Sequence, residues 1–221
     1  MTSSKMTEKT AALRRRIVES AFRIFSEKTI DAVNLTEVAK AAGVGVATVY
    51  RYFDSKTALV LEVGTWVWRQ YVQQERPTVS ADARSAAELF DYFLDAFIDL
   101  YRNHRDILRF NQFFNVYVQR EDVTAGQLQP YNRLADDLAA RFHECYARAM
   151  EDHTLRTDIS EGAMFSRTLH LMLAVVTRYA VGLVYDAGFD PEEELLFQKK
   201  LLMNEFTTVP ASTPQTDAIR A

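Results

Sequence analysis

The sequence predicts an all-α protein. Along most of the chain, apolar residues recur at three- and four-residue spacing, the repeat expected of helices that bury one face. No stretch of any length alternates apolar and polar residues as a half-buried strand does. The 221 residues include only seven Gly and five Pro, too few for a turn-rich β fold. The elements expected in chain order are therefore helices.

The first helix is predicted from Glu8 to Lys28, after a polar segment of seven residues that is expected to be loose. The apolar positions of this helix fall on one face and comprise Leu13, Ile17, Ala21, Ile24 and Phe25. A second helix is predicted over Leu35–Ala42. Asn34 precedes it as N-cap, and Glu37 at the third helical position completes a capping-box-like start.

A tight turn separates the second helix from a third, short one. Gly43 ends the second helix because glycine adopts the left-handed conformation of a helix stop without strain. The third helix is predicted over Val46–Phe53, and Asp54 or Ser55 caps a long fourth helix that reaches Gln74.

The body of the chain follows a break at Pro77 and the polar residues 78–84, and four or five further helices are expected there. Two of them carry aromatic stripes at helical spacing, formed by Phe90, Phe93, Leu94, Phe97 and Tyr101 and by Phe110, Phe113, Phe114 and Tyr117. The others are predicted over Leu134–Met150, Glu161–Tyr185 and Pro191–Phe206. By composition, residues 208–221 form a disordered tail.

Two short helices joined by a tight glycine-containing turn, inside a small basic segment, are typical of a helix-turn-helix. Residues 1–60 hold ten Lys and Arg against six Asp and Glu, whereas residues 61–221 carry a net charge of −8. A basic segment on an acidic body indicates that only this segment meets a polyanion such as DNA. The second helix of the motif lies in the major groove, so its outer face must be accessible.

The residues of this motif resemble the TetR/AcrR family of regulators. The similarity lies in the run LTEVAKAAGV (residues 35–44), in the run TVYRYFDSKTAL (residues 48–59) and in the first-helix pattern of Ile17, Ala21 and Phe25. It covers roughly a quarter of the chain and is highly specific. The resemblance implies a homodimeric repressor that binds a palindromic operator in double-stranded DNA. It also implies a C-terminal helical domain that binds a small hydrophobic effector and then releases the DNA.

On this resemblance the chain divides into a helix-turn-helix DNA-binding domain over residues 8–54, a helical ligand-binding and dimerisation domain over residues 55–207, and the tail over residues 208–221. Two positions depart from the family pattern. Gly45 stands where a Ser or Thr cap is usual, and Thr29 stands where a Gly usually ends the first helix.

The residues expected to contact DNA are also carried over from the family. Phosphate contacts are expected from Tyr50, Tyr52 and Lys56, and the residues that approach base edges are Val46, Ala47 and Thr48. Arg51 can reach either a guanine or a phosphate. One arginine of the run Arg14–Arg16 is also expected to touch phosphate, although such a run can equally be a solvated helix face.

The aromatic stripes of the body allow two interpretations. Helical stripes of Phe and Tyr are usually plain core, but this many rings on several helices also tend to line a cavity with a few polar groups. On the second interpretation, a small, partly planar hydrophobic ligand binds among Trp66, Phe93, Phe97, Phe110, Phe113, Phe114, Tyr117, Phe142 and His170.

Two copies of the chain must be joined, because one helix-turn-helix reads only one half-site. The helix predicted over residues 161–185 is apolar around much of its circumference, and the last helix adds further leucines. The residues predicted to face a second copy are Leu171, Ala174, Val175, Gly182, Leu195 and Leu202. The alternative is that the helix over residues 161–185 is simply central to a monomeric bundle.

Other classes of function find little support in the sequence. The four histidines lack the spacing of a helical metal site, and no Gly-rich phosphate loop or nucleophile motif occurs. Cys145 is the only cysteine, and neither a cofactor nor a metal is expected. No membrane span or secretory signal is evident, which favours the cytoplasm. A helical enzyme acting on an apolar substrate and a ligand-independent DNA-binding protein are the alternatives.

Overall fold

The computed structural model describes residues 2–73, 84–182, 188 and 190–208. Their helices are α1 (Thr2–Glu27), a 3-10 turn (Ile30–Ala32), α2 (Leu35–Ala41), α3 (Val46–Tyr52), α4 (Lys56–Gln73), α5 (Ala86–Asn103), α6 (Arg105–Arg120), α7 (Ala125–Asp152), α8 (Glu161–Val181) and α9 (Pro191–Phe206). Within these ranges the only strand-like pairing is an isolated antiparallel bridge between Leu155 and Thr207. The predicted all-α fold class is confirmed.

Two helices begin earlier than the sequence analysis predicts. α1 starts at Thr2, so the segment expected to be loose is helical from its second residue. α7 starts at Ala125, nine residues before the predicted start at Leu134, and it contains Pro130. The Thr124 hydroxyl accepts a hydrogen bond from the Gln127 N–H, while the Gln127 side chain accepts from the Thr124 N–H. This capping box begins the helix, and the proline removes only one backbone donor from it.

The N-terminal helices α1, α2 and α3, which we call the head, are ordered by local caps and a small core. Asn34 caps α2 by accepting from the Glu37 N–H at 3.0 Å, as the sequence predicts. Gly43 ends α2 with φ at +64°, a conformation that strains other residues. Gly45 begins α3 without a side-chain cap, and the buried side chain of Val49 anchors α3 to the head.

The body consists of α5 to α9, and α4 joins it to the head. α5 begins with a complete capping box at Ser85 and Glu88, and the Asp152 carboxylate at the end of α7 accepts from the Ala86 N–H at 2.7 Å. The buried apolar residues of head and body form one continuous cluster. The boundary near residues 54–55 therefore follows a change in helix packing and is not marked by a break in the core.

The predicted ends of several elements lie partly outside the described residues. α8 is described to Val181, and the predicted end at Tyr185 lies beyond that point, as do residues 74–83 with Pro77. Of the predicted tail, the structure describes Thr208, whose N–H donates to the Thr154 carbonyl at 3.0 Å. This first residue is hydrogen-bonded rather than loose, and residues 209–221 lie outside the described part.

Gly64 allows α4 to pack closely on α6. A Cβ atom at this position would meet Cε2 of Phe114 at 2.8 Å, closer than real contacts allow. Phe114 is fully buried and stacks on Phe110 and Tyr131, so its ring has little room to move. The glycine therefore sets the spacing between the helix that carries the head and the core of the body.

We expect Gly64→Ala to destabilise the protein by about 1 kcal/mol. Alanine gains about 1 kcal/mol of helix propensity, but overpacking costs about 1–3 kcal/mol. Gly162→Ala is the matched control, because a Cβ there meets nothing within 4 Å and should not destabilise. Urea unfolding of both variants measures the difference, and a stabilised Gly64→Ala protein would contradict the close approach.

Candidate DNA interface and effector cavity

The outer face of α3 is accessible, as a recognition helix requires. Val46 is 38% exposed and Tyr50 is 54% exposed, which is unusual for large apolar side chains. Ala47 and Arg51 are also exposed, and Thr48 is half-buried. Since Val49 turns inward between them, these side chains form one continuous surface on the head.

Tyr52 and Lys56 lie at the edge of this surface and are tied to the protein. The Tyr52 carbonyl accepts a hydrogen bond from Arg14 at 3.2 Å, and the tyrosine ring is half-buried. The Lys56 ammonium donates to the Asp31 carbonyl at 3.3 Å and lies 5.8 Å from the ring centroid of Tyr117. Burial lowers the pKa of Lys56, although neighbouring carboxylates oppose the shift.

The three consecutive arginines of α1 have different surroundings. Arg14 connects α1 to α3 and α4. Besides its hydrogen bond to the Tyr52 carbonyl, its guanidinium pairs with Glu62 at 3.2 Å and lies 4.6 Å from the ring centroid of Phe53. Arg15 pairs with Glu19 at 2.7 Å. Arg16 is exposed and has no acidic partner among the described residues. Of the three, Arg16 is therefore the arginine best placed to meet a phosphate.

Helix α6 connects the body to the head at two points. The Tyr117 hydroxyl lies 3.0 Å from the Thr57 hydroxyl at the start of α4. One helical turn further, the Arg120 guanidinium pairs with the Asp31 carboxylate at 2.7 Å in the turn between α1 and α2. A displacement of α6 would therefore shift Asp31 and Thr57, the two residues through which α6 contacts the head and the start of α4.

The body contains a cavity of about 190 Å³ between α4 and the helices α5 to α8. Its wall is mostly apolar and aromatic. The lining residues are Trp68, Tyr71, Val72, Phe93, Ala96, Phe97, Leu100, Asn111, Asn115, Tyr131, Asn132, Leu134, Ala135, Leu138, Leu169 and Leu173. Asn115, Asn132 and Ala135 are exposed, which places the mouth of the cavity beside them.

Asn111 is the buried polar group of this cavity, with 4% of its surface exposed. Its side-chain oxygen accepts from the Trp68 indole N–H at 3.3 Å and from the Tyr131 hydroxyl at 2.9 Å. Burial raises the pKa of Tyr131 to about 12, so its phenol keeps the proton that it donates. The arrangement joins α4, α6 and α7 through one amide.

Two of the nine residues predicted to bind the ligand, Phe93 and Phe97, line this cavity. Trp66 instead packs edge-on against Phe22 of α1, with ring centroids 6.0 Å apart. Trp68 takes its place, because residues two apart on a helix point about 200° away from each other. The remaining rings lie in the core or at its edge, and they are Phe110, Phe113, Phe114, Tyr117 and Phe142.

His170, the ninth predicted residue, lies outside the apolar cavity. It lines a neighbouring, more open recess of about 350 Å³ between α6 and α8, together with Arg178 and Thr177. Its ring nitrogen Nδ1 lies 3.3 Å from the Ser166 hydroxyl. Sequence reasoning singled out this histidine as a polar group near the rings and missed Asn111, which gave no signal beyond being a polar residue between apolar positions.

An apolar surface extends over α8 and α9. Four predicted interface residues lie on it or beside it: Leu171, Ala174 and Gly182 are exposed, and Val175 is half-buried. The other two, Leu195 and Leu202, were placed wrongly, because both are buried against the chain's own helices α5 and α8. The exposed apolar residues of α9 are Leu196, Phe197 and Leu201, and Phe197 is 53% exposed.

No catalytic arrangement is apparent among the described residues. Cys145 is buried, its thiol donates to the Ala86 carbonyl at 3.3 Å, and burial raises its pKa to about 12. Such a thiol stays protonated near neutral pH and is a poor nucleophile. The described residues contain no group of three His, Cys, Asp or Glu able to hold a metal, and none of their helices has the length and hydropathy of a membrane span.

Comparison with known proteins shows a sequence similarity that lies mainly in the head. Residues 17–63 match the sequence model described as bacterial regulatory proteins of the tetR family. An uncharacterised HTH-type transcriptional regulator of Mycobacterium tuberculosis, Rv1255c, is 48% identical over 44 residues, which cover 20% of this chain and only 22% of that protein. The negative regulator IcaR of the Staphylococcus aureus biofilm operon is 25% identical over 138 residues, covering 60% and 70% of the two chains.

The fold is also shared over most of the chain. The crystal structure of the regulator FadR from Bacillus subtilis in complex with stearoyl-CoA superimposes with a TM-score of 0.65 at 15% identity, covering 86% of this chain and 97% of that one. That likeness concerns the fold. The family match runs from the middle of α1 through α2 and α3 into the first half of α4. The head is therefore similar in sequence to the bacterial regulatory proteins of the tetR family, and the described helices share their fold with a solved transcriptional regulator.

Proposed function

We propose that this protein is a homodimeric repressor that binds an operator in DNA and is released from it by a small hydrophobic ligand. The observation that carries the proposal is the accessible outer face of α3 on a head that matches the tetR family. IcaR, a relative, is itself a negative regulator. A role on DNA also places the protein in the cytoplasm.

The docking proposed for the head puts α3 in the major groove. Thr48, Val46 and Ala47 present small groups that can approach base edges, and Arg51 has the reach to contact a guanine or a phosphate. Tyr50 extends furthest from the head and suits a phosphate oxygen. Tyr52 and Lys56 lie at the margin, where Lys56 still has two N–H groups beyond its bond to Asp31.

A dimer follows from the geometry of DNA. One head contacts one half-site, and two heads read successive turns of one groove face only when they are about 34 Å apart. A twofold axis is the commonest way to hold them so, and it makes the operator palindromic. The exposed apolar surface of α8 and α9 is the part of the body best suited to a second copy, because its large apolar side chains otherwise face water.

Ligand-controlled release is proposed to act through α6. The cavity touches both α4 and α6, and α6 reaches the head through the Tyr117–Thr57 and Arg120–Asp31 contacts. A ligand that binds better when α6 is displaced would favour a separation of the heads that does not fit DNA. Its differential affinity for the two arrangements sets the size of the response.

Selection of random DNA fragments by the purified protein, followed by sequencing, tests the proposal. The expected result is a palindrome with half-site centres about 10 base pairs apart. With six to ten phosphate contacts, affinity should fall about a thousandfold or more between 50 and 200 mM salt. Enrichment of no sequence, or a single unpaired half-site, would contradict the proposed mode of binding.

A further inference from the structure

We propose that the effector is an uncharged molecule with a ring and one hydrogen-bond acceptor, and that the side-chain N–H₂ group of Asn111 selects it. This inference rests on the proposed function, since it names the ligand class of the same cavity. It makes Asn111 the specificity-determining residue, in contrast to the aromatic residues, which provide only apolar surface.

The wall of the cavity excludes charge. Its sixteen lining residues include three asparagines and two tyrosines as polar groups, but no Asp, Glu, Lys, Arg or His. An ionised group brought into such a wall loses its hydration and gains no counter-ion, which is a large penalty. The basic side chains His170 and Arg178 line only the neighbouring recess, which shares Asn111, Asn115 and Leu173 with the cavity. The part of the ligand inside the cavity is therefore neutral.

The orientation of the Asn111 amide follows from its partners. An indole N–H can only donate, so the atom that lies 3.3 Å from Trp68 Nε1 must be the oxygen. That oxygen also accepts from Tyr131, so both of its lone pairs are used. The nitrogen Nδ2 is left with two donors and no partner among the described residues, on a side chain that is 4% exposed and lines the cavity. A ligand carbonyl, ether or phenol oxygen would satisfy it.

The size of the cavity limits the part of the ligand that is inside it to one or two rings. An apolar protein cavity of about 150 Å³ holds benzene, and this cavity measures about 190 Å³. Phe93 and Phe97 stand edge-on to each other on one wall, with ring centroids 5.8 Å apart, and offer faces and edges to a flat guest. FadR, whose fold this chain shares, was crystallised with stearoyl-CoA, a far longer and highly charged molecule. We therefore expect a different ligand class here.

The test is a comparison of acetophenone, isopropylbenzene and benzoate by isothermal titration calorimetry. The first two have nearly the same shape, but only acetophenone has an acceptor, and benzoate adds a charge. In Asn111→Leu, the ratio of the dissociation constants of acetophenone and isopropylbenzene should rise about tenfold over the wild-type ratio, because the donor is lost. Benzoate should bind more weakly than acetophenone to the wild-type protein.

Two further variants keep the test decisive. Asn111→Leu combined with Tyr131→Phe removes the amide together with the hydroxyl that donates to it, so fewer buried donors lose their partner than in Asn111→Leu alone. This protein should fold and should lose acetophenone as Asn111→Leu does. Gln119→Leu, two turns along the same helix, exposed and outside the cavity wall, should leave the ratio unchanged. An unchanged ratio in both Asn111 variants, tighter binding of benzoate or stearoyl-CoA, or no binding of either ring would overturn the inference.

The same preparations should be tested on the selected DNA. If the protein binds DNA selectively while the ring probes fail, only the ligand class is wrong. If the rings bind as expected while no DNA sequence is preferred, the proposed regulatory function fails and the binding site stands.

Discussion

Replacing Phe197 by Asp should convert the protein into a monomer and remove its binding to the operator. Phe197 is 53% exposed and lies with Leu196 and Leu201 on the outer surface of α9, beside the exposed face of α8. A charge there would have to be buried, without a partner, when two copies associate. Because linked heads bind with an avidity about 100- to 10,000-fold above that of one head, operator affinity should fall by that factor.

Sedimentation equilibrium and gel retardation measure the two effects. Met150→Asp is the matched control, since Met150 is 59% exposed on α7 and lies outside the apolar surface of α8 and α9. Phe197 is a better position for the test than the half-buried Val175, where a charge would also disturb the chain's own core. A Phe197→Asp protein that is still dimeric would refute the proposed interface.

Replacing Tyr50 and Lys56 together by Ala should weaken binding to all DNA sequences by about two to four orders of magnitude. Each side chain is proposed to donate to a phosphate, and a hydrogen bond to a charged group contributes about 1.5–3 kcal/mol. Since phosphate contacts carry no sequence information, the preference among operators should be retained. Loss of the Lys56 charge should also reduce the slope of log affinity against log salt by about 1.

Retardation titrations at several salt concentrations would measure both quantities. Arg133→Ala removes one positive charge from an exposed position of the body and controls for net charge alone. Because Lys56 also donates to the Asp31 carbonyl, thermal unfolding must show that the double variant remains folded. Parental affinity in a folded double variant would mean that the head docks differently.

Apart from the start of α1, the local signals of the sequence were sufficient to predict the helices of the head. The spacing of Ile17, Ala21 and Phe25, the Asn34 cap and the helix stop at Gly43 each act within a few residues. They could be interpreted correctly because caps and amphipathic faces depend on neighbours along the chain. The early start of α7 was missed because the predicted helix began only at Leu134, whereas the capping box at Thr124 opens it nine residues earlier.

The helices of the body could be predicted from the sequence, but the residues that line its cavity and its exposed apolar surface could not. Apolar residues lie on more than one face of α9, so periodicity alone could not show that Leu195 and Leu202 pack inside while Leu196 and Leu201 face outward. Similarly, Trp66 and Trp68 are equivalent in the sequence, and only the position of α1 and α6 sends one towards the head and the other into the cavity.

The sequence by itself determined the helical class, the helix-turn-helix and the residues on the outer face of α3, because these follow from contacts a few residues apart. Only the tertiary structure decided which rings enclose the cavity, which leucines remain exposed, and that Asn111 of α6 meets Trp68 of α4 and Tyr131 of α7. Those features depend on how separate helices are rotated against each other. Helix rotation is set by the packing of the whole core, which no local pattern records.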